Sequence, residues 1–459
     1  MADILSTAIE NCGNFLWGWP MVIALLGTHL FLTIRLRFPQ RKIFQAIRLS
    51  VTRDKSASGD VSQFGALATA LAATIGTGNI IGVATAITLG GPGAVFWCWL
   101  TGVLGIATKY AEGLLAVKYR VRTPQGHMLG GPMYALERGL GMKWLAVLFC
   151  IFTVTASFGI GNLVQSNAIS TLCYEAYRLP PALTGAVTTL CVALVVVFGI
   201  GGIARVCSAF VPLMAMLYFL GCTYILVVNA DYVWEAFRLI VVSAFRPEAA
   251  GGGFIGGSII MTARYGISRG LFSNESGMGS APIVAAAAQT RNPVRQALVS
   301  STGTFWDTVV ICALTGLVLV SSILAYPDIS YDDGAALTQI AFNKIPYIGG
   351  PLLTAGIITF AFSTILGWCY YGEKAMEYLN GKRWMLVYRC IYIAAVFLGA
   401  IAQLTFVWNL TDLTNALMVL PNLVALLGLS GIAAAETRKY LWEGRLDEEV
   451  GDDDTPLSV

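Results

Sequence analysis

Leu71-Ala-Ala-Thr-Ile-Gly-Thr-Gly-Asn-Ile80 and Ser268-Arg-Gly-Leu-Phe-Ser-Asn-Glu-Ser-Gly-Met-Gly-Ser280 lie half a chain apart, and in each an apolar segment is broken by glycine and small polar residues. In lipid an unpaired backbone group costs several kcal/mol, so unwound chain at membrane depth persists only where it is covered by protein or lines a cavity. A matching pair of breaks in two halves of a chain is the best sequence-level pointer to the substrate site of a secondary carrier.

Composition agrees with a membrane setting. The chain has 459 residues, 56% of them hydrophobic and 12% charged, half the charge of an ordinary soluble domain. Its 49 glycines suit close helix packing in a bilayer, where lipid tails leave little hydrophobic drive between helices. A net charge of +3 gives no reason to expect a nucleic-acid partner. The ten cysteines are scattered without a CxxC pair, and His29 and His127 stand alone. Buried reduced thiols are expected rather than a metal or disulfide framework, and an enzyme lacks its usual cluster of nucleophile, base or metal ligands.

A helix needs about 20 apolar residues to cross the hydrocarbon core. Eleven candidate spans follow, near 15–35, 62–89, 93–117, 144–175, 183–199, 203–229, 253–290, 297–324, 349–372, 384–403 and 408–434. The loop after the first span is dense in base (Arg35, Arg37, Arg41, Lys42, Arg48, Arg53, Lys55), and alternate later loops keep the bias. The loop around Asp328, Asp332 and Asp333 is acidic. Basic loops face the cytoplasm, which puts the N-terminus outside and the C-terminus inside. The Met-Ala-Asp-Ile-Leu start lacks the basic lead of a cleaved signal peptide. The polar tail from Glu436, acidic at Asp452–Asp454, reads as a solvated extension.

With the first span set aside, two groups of five remain, each opening on its broken helix. Five is odd, so the second group is inverted relative to the first. The expected organisation is an extra N-terminal helix and basic loop (1–61), a first repeat (62–229), an extracellular connection (230–251), a second repeat (252–434) and a cytoplasmic tail (435–459). The fold class is thus all-α, an inverted 5+5 repeat. The N–H groups at the start of a half-helix suit a carboxylate. Neutral oxygens and amides of Thr74, Thr77 and Asn79, and of Ser273, Asn274 and Ser276, suit a cation or a zwitterion.

The run Gly76-Thr-Gly-Asn-Ile-Ile-Gly-Val-Ala-Thr-Ala86 with Gly90-Gly-Pro-Gly-Ala94 resembles the alanine or glycine:cation symporters, and so does Ser268 through Pro282. The likeness continues through Gly130-Gly-Pro-Met-Tyr134 and Phe305-Trp-Asp307 to Phe362-Ser-Thr-Ile-Leu-Gly-Trp368, almost the whole chain; Ser276 departs from the expected alanine. The resemblance implies the leucine-transporter fold and Na⁺-coupled uptake of small neutral amino acids such as alanine or glycine. The alternative is a proton-coupled carrier or an exchanger of the same fold. It implies Na⁺, or sometimes H⁺, as the coupling ion with no organic cofactor, a cell-membrane setting, and a monomer or weak oligomer in the lipid bilayer.

On that resemblance, the carbonyls of Ala72 and Ile75 with the hydroxyls of Ser363 and Thr364 would hold Na⁺. The two hydroxyls have an alternative partner in their own helix. Thr77, Gly78 and Asn79, with Gln165, Ser273 and Gly277, would meet the substrate. Asn162 is expected to face inward beside Gln165, and Phe272 and Trp368 are expected pocket walls. A charge at the bilayer centre costs roughly 2.5–3.5 kcal/mol on insertion scales, so Asp307 is expected to serve ion or proton coupling. Glu275 is expected to pair with Arg269 or Arg264, and Lys109 and Glu112 to snorkel at a cytoplasmic end.

Overall fold

The computed structural model describes residues 2–52, 57–246, 258–326, 329, 334–402, 405–449 and 457–458. Arg53, Lys55, the acidic residues Asp328, Asp332 and Asp333, and Asp452–Asp454 lie outside them. The described chain is almost all helix. Among the described residues, seven helices are long and apolar enough to cross a membrane, or nine if each of two bent pairs is one span.

The first broken helix runs Gln63–Thr74, then Gly78–Gly90, with a bend of 54° between the halves. Ser62 caps its start by accepting from Gly65 N at 3.0 Å. Ile75 ends the first half in an extended conformation (ψ 109°), and the next residues make a wide, five-residue turn before Val83–Gly90. The second broken helix runs Ile259–Asn274, capped by Ser258. It stops where Glu275 takes a left-handed conformation at φ 51°. Gly277 and Gly279 follow at φ 91° and 84°, values that glycine adopts without steric penalty. A single short turn, Pro282–Ala285, resumes the direction.

Helix Ala94–Lys118 packs along both Ile259–Asn274 and Pro293–Thr304, while Gly349–Asn380 packs on Lys143–Phe158 and on Gln63–Thr74. The breaks therefore sit between two helix groups and are covered from lipid.

Several elements go beyond the expected spans. The N-terminal addition is two helices, Ala2–Leu16 and Trp19–Arg35, because Gly18 and Pro20 restart the chain there. The basic loop carries Ile43–Ser50, whose only buried residues are Ala46 and Ser50. The connection after residue 229 forms a helix, Ala230–Phe245, with a narrow buried stripe at Ala236, Ile240, Ser243 and Ala244. Helix Gly349–Asn380 runs eight residues past the expected 372, its C-terminal end held by buried Glu373 and Glu377 paired with Arg389 and Lys374. The ten cysteines are free, three of them exposed (Cys12, Cys191, Cys390).

Candidate functional site

A small cavity of about 30 Å³ lies between the breaks, lined by Ala73, Thr74, Gly76, Thr77, Gly78, Ile160, Gln165, Phe272, Glu275, Thr364, Trp368 and Asn415. Two helix breaks, helix Gly349–Asn380 and helix Thr405–Gly428 thus contribute to one chamber. Its wall at Trp368 depends on Gly161, where a Cβ would sit 2.3 Å from Trp368 Cβ. Gln165 donates from Nε2 to Ile160 O at 3.0 Å, and its buried amide oxygen has no partner among the described residues. A larger cavity of about 380 Å³ adjoins this chamber through shared Thr77, Gly78 and Phe272, and is bounded by Glu10, Trp17, Arg264, Arg269 and Asp412. Across the breaks the space lined by Thr74, Lys109, Gln296 and Ser300 shrinks to about 20 Å³.

Asn79 holds the first break in shape. Its Oδ1 accepts from Gly76 N at 2.8 Å, and its Nδ2 donates to Asp307 Oδ1 at 2.8 Å and to Asp307 O at 3.1 Å. The other oxygen of Asp307 accepts from Ser273 Oγ at 2.9 Å and from Thr308 Oγ1 at 2.6 Å. Asp307 is fully buried, and three side-chain donors offset part of the large desolvation penalty of a carboxylate. One carboxyl group therefore ties the first break to the helix that ends at the second.

The second break is organised from behind. Glu112 Oε1 accepts from Gly277 N and Gly279 N, each at 3.0 Å, and from Asn422 Nδ2 at 2.7 Å. Asn422 also donates to Gly277 O at 2.9 Å. Lys109 Nζ donates to Glu275 O at 3.2 Å, and Ser280 Oγ to Glu275 Oε2 at 2.5 Å. Ser276 Oγ meets Thr304 Oγ1 at 2.9 Å. Unwound backbone that lipid could not satisfy is thus satisfied by side chains.

The oxygens suited to a cation also converge. Thr364 Oγ1 and Ser363 Oγ lie 3.0 and 3.4 Å from Ala72 O, and each reaches Phe360 O, at 3.0 and 2.9 Å. A hydroxyl has one proton. With that proton on Phe360 O, the lone pairs of both hydroxyls face the Ala72 carbonyl, an all-acceptor arrangement that a hard cation stabilises. Among the described residues no group of three or more His, Cys, Asp or Glu could hold a metal.

At the far end of the breaks, residues 58–61 are stitched to residues 286–289. Asp60 N and Val61 N donate to Ala287 O at 2.8 and 3.2 Å, and Gln289 N to Val61 O at 2.8 Å. Arg120 adds bonds to Ala286 O (3.2 Å), Ala288 O (2.9 Å) and Ser58 O (3.3 Å). Burial pushes the Arg120 guanidinium down to about 10, against the opposing pull of Asp60, so it stays charged at neutral pH.

Of the residues singled out from sequence, Thr77, Gly78, Gln165, Phe272, Trp368 and Thr364 surround the chamber, with Ala72 and Ser363 beside it. Asn79 and Ser273 stand one layer back at Asp307. Ile75 is buried at the break. Gly277 is turned away: its N–H and C=O are taken by Glu112 and Asn422, and a Cβ there would lie 2.5 Å from Leu25. Asn162 also points elsewhere, donating to Tyr392 O at 2.7 Å. Glu275 bonds Ser280 and not Arg264 or Arg269, which border the large cavity. Lys109 and Glu112 do not snorkel; both are buried at 3% and 2% exposure because they have backbone of the second break to satisfy. Asn415, Asn422 and Glu112 are not legible as site residues in the sequence, since a lone polar residue on an apolar helix gives no hint of a partner far along the chain.

The profile described as "Sodium:alanine symporter family" matches residues 2–452. The chain is 47% identical over 440 residues to the "Sodium/alanine symporter AgcS" of Methanococcus maripaludis, covering 94% of this chain and 96% of that one. It is 50% identical over 441 residues to a protein of Haemophilus influenzae named only as a transporter, with 95% and 96% covered. The "Probable sodium/glutamine symporter GlnT" of Bacillus subtilis is 35% identical over 449 residues, with 96% and 91% covered. Among solved structures, MhsT in complex with L-phenylalanine superposes with a TM-score of 0.57 at 14% identity, covering 83% of this chain and 98% of that one. The chain therefore shares the fold of the leucine-transporter type.

Proposed function

The chain belongs to the sodium:alanine symporter family, whose members are membrane carriers and not enzymes, and from that premise we propose that it carries a small neutral amino acid together with Na⁺ by alternating access. Membership supports Na⁺-coupled amino-acid symport. Relatives named for alanine and for glutamine differ in side-chain size, so the substrate must be argued from this chamber. The observation that carries the reading is the chamber of about 30 Å³ with Trp368 and Phe272 in its walls. About 10–15 Å³ admits one water, so the chamber has the room of only two or three waters, which favours the amino acids with the smallest side chains.

In this reading the N–H groups that open the outer half of the first broken helix, at Thr77 and Gly78, receive the substrate carboxylate. Na⁺ sits among Ala72 O, Ile75 O, Ser363 Oγ and Thr364 Oγ1. Substrate enters by the larger cavity, passes Phe272 and reaches the chamber; the stitched end then parts on the opposite side. Eleven crossings, the inverted 5+5 repeat, an outer N-terminus and a cytoplasmic C-terminus belong to the same proposal. The basic loops and the placement of the two breaks support it.

A second reading, coupling by protons, is favoured by one observation: the buried carboxyl of Asp307 bonds both Asn79 and Ser273. The experiment that separates them is uptake of labelled alanine into proteoliposomes under an inward Na⁺ gradient, with choline replacing Na⁺, or under an imposed proton gradient. Uptake driven by Na⁺ alone supports the symport reading. Uptake driven by protons in choline moves coupling to Asp307, and no uptake under either gradient removes the substrate assignment.

A further inference from the structure

A separate cavity of about 380 Å³ lies behind the first broken helix and is almost wholly apolar. Four elements wall it: Leu71 and Ile75 at the end of helix Gln63–Thr74, Met216 and Phe219 of helix Gly199–Val228, Trp306 just after helix Pro293–Thr304, and Ile47 of helix Ile43–Ser50. Met216 is 54% exposed, and Phe219 and Trp306 are exposed beside it, so the cavity opens toward the outside of the helix bundle. Its volume is that of a small-molecule site rather than of a packing flaw.

Charge stands beside this apolar slot. Helix Ile43–Ser50 and the turn before it leave the direction of the first span by 67°, the attitude of an amphipathic helix lying in a membrane interface. Ile47, Ser50 and Val51 turn one face of it to the cavity. Phe44 and Arg48, four residues apart, share the neighbouring face, and both are exposed, Phe44 at 80%. Arg41 is exposed in the turn ahead, its guanidinium resting over the Phe38 ring at 5.2 Å. Neither arginine has a carboxylate partner among the described residues.

We propose that this groove holds an acyl chain of an anionic phospholipid whose headgroup is taken by Arg48 and Arg41. An acyl chain gains little by leaving lipid tails for an equally apolar wall, so the groove supplies fit and the phosphate supplies selection. A basic side chain near the membrane surface is worth about fivefold in binding anionic lipid, and two are worth up to about twenty-five-fold. The charge bias assigns this loop to the cytoplasmic leaflet, where anionic lipids collect. Leu71 and Ile75 lie on either side of Ala72, whose carbonyl faces Ser363 and Thr364. A chain seated against them braces the half-helix that bears the candidate cation oxygens, and so raises the apparent affinity for Na⁺. The lipid site needs only the membrane; its effect on transport rests on the symport reading.

The test places a fluorescent reporter at Met216→Cys on the groove, or at exposed Leu190→Cys on helix Pro181–Val196, in a chain whose exposed Cys12, Cys191 and Cys390 are serine. The protein is reconstituted in phosphatidylcholine vesicles containing a minor share of lipid with brominated chains, either phosphatidylglycerol or phosphatidylcholine. Quenching at Met216→Cys is expected to favour brominated phosphatidylglycerol by about five- to twenty-five-fold in apparent affinity. High salt, or Arg41→Gln with Arg48→Gln, should erase that preference, and Leu190→Cys should show none. Equal quenching by the two lipids at Met216→Cys would overturn the site, as would a preference that survives loss of both arginines. Absence of quenching by either lipid means that the chain itself covers the groove, and overturns it too. In the same vesicles phosphatidylglycerol is expected to lower the Na⁺ concentration for half-maximal alanine uptake about fivefold, the low end of couplings between sites, and to lose that effect in the double variant. An unmoved Na⁺ dependence overturns the link to transport. The quenching is read without alanine or Na⁺, so a lipid preference with no alanine uptake in any vesicle removes the symport reading and not the site.

Discussion

Asn79 Nδ2 donates to Asp307 Oδ1 at 2.8 Å across 228 residues of sequence, so the unwound part of the first broken helix is fixed by a carboxyl group from the second half of the chain. The same amide closes the local turn through Gly76 N. Removing either partner leaves buried polar groups unmet, at ~1–3 kcal/mol for each neutral group and more for a charge. Asn79→Ala is therefore expected to lower alanine uptake at least tenfold, and Asp307→Ala to abolish it. Asp307→Asn separates the roles: it keeps the acceptor for Asn79, and retained Na⁺-driven uptake in that variant excludes Asp307 as the coupling group.

The cation assignment predicts a specific kinetic signature. Ser363→Ala and Thr364→Ala each remove one oxygen facing Ala72 O, and each is expected to raise the Na⁺ concentration for half-maximal uptake by about five- to thirtyfold, one charge-assisted contact being worth ~1–2 kcal/mol. At saturating Na⁺ the apparent KM for alanine should return close to its original value. An unchanged Na⁺ dependence in both variants would remove the ion from this place.

Trp368 and Gly161 set the size limit together. Trp368→Ala should admit leucine or phenylalanine as competitors of alanine uptake. Gly161→Ala drives a methyl group to 2.3 Å from Trp368 Cβ, which the backbone must give way to accommodate, so it is expected to abolish alanine binding. Competition by a series of amino acids of rising size reads both outcomes, and an unaltered size profile for Trp368→Ala counts against the wall.

Glu112 is expected to matter for stability as much as for transport. Glu112→Ala leaves two glycine N–H groups and Asn422 without their acceptor, a loss of ~3–5 kcal/mol by analogy with other broken buried networks. Glu112→Gln retains an acceptor oxygen and should recover much of that loss. Thermal unfolding in detergent with and without alanine checks the order: unmodified chain, Glu112→Gln, then Glu112→Ala as the least stable.

The breaks are legible in sequence because glycine, serine, threonine and asparagine clustered inside an apolar run disfavour a continuous helix, and lipid tolerates an interrupted one only where protein covers it. Thr77, Gly78 and Phe272 are reachable for the same reason, each lying in or beside such a run, whereas Thr364 and Trp368 sit in the continuous helix Gly349–Asn380 and are reached through the motif that carries the family resemblance. Glu112 and Lys109 mislead because a charge flanked by apolar residues near a loop looks the same whether it snorkels or turns inward. Only the fold brings Gly277 and Gly279 against Glu112. Gly277 misleads in the opposite sense, since a glycine in a break serves equally for ligand approach or for packing, here against Leu25. Helix Ala230–Phe245 is hidden because its buried stripe is too narrow to raise the hydropathy of the segment. The start of the tail docks on Asn292 through the backbone carbonyls of Leu446 and Glu448, which any residues would supply.

Trp17, from the N-terminal addition, packs edge-on against Phe272 with ring centroids 6.2 Å apart, and its Nε1 donates to Asp412 O at 2.9 Å. Glu10 and Gly13 join it on the rim of the large cavity. The doorway to the chamber is thus partly built from chain that lies outside the ten core helices of the proposed repeat. A compound wedged between Trp17 and Phe272 would grip a surface that carriers without this addition do not possess, which makes the doorway, rather than the amino-acid chamber, the place to seek a selective inhibitor.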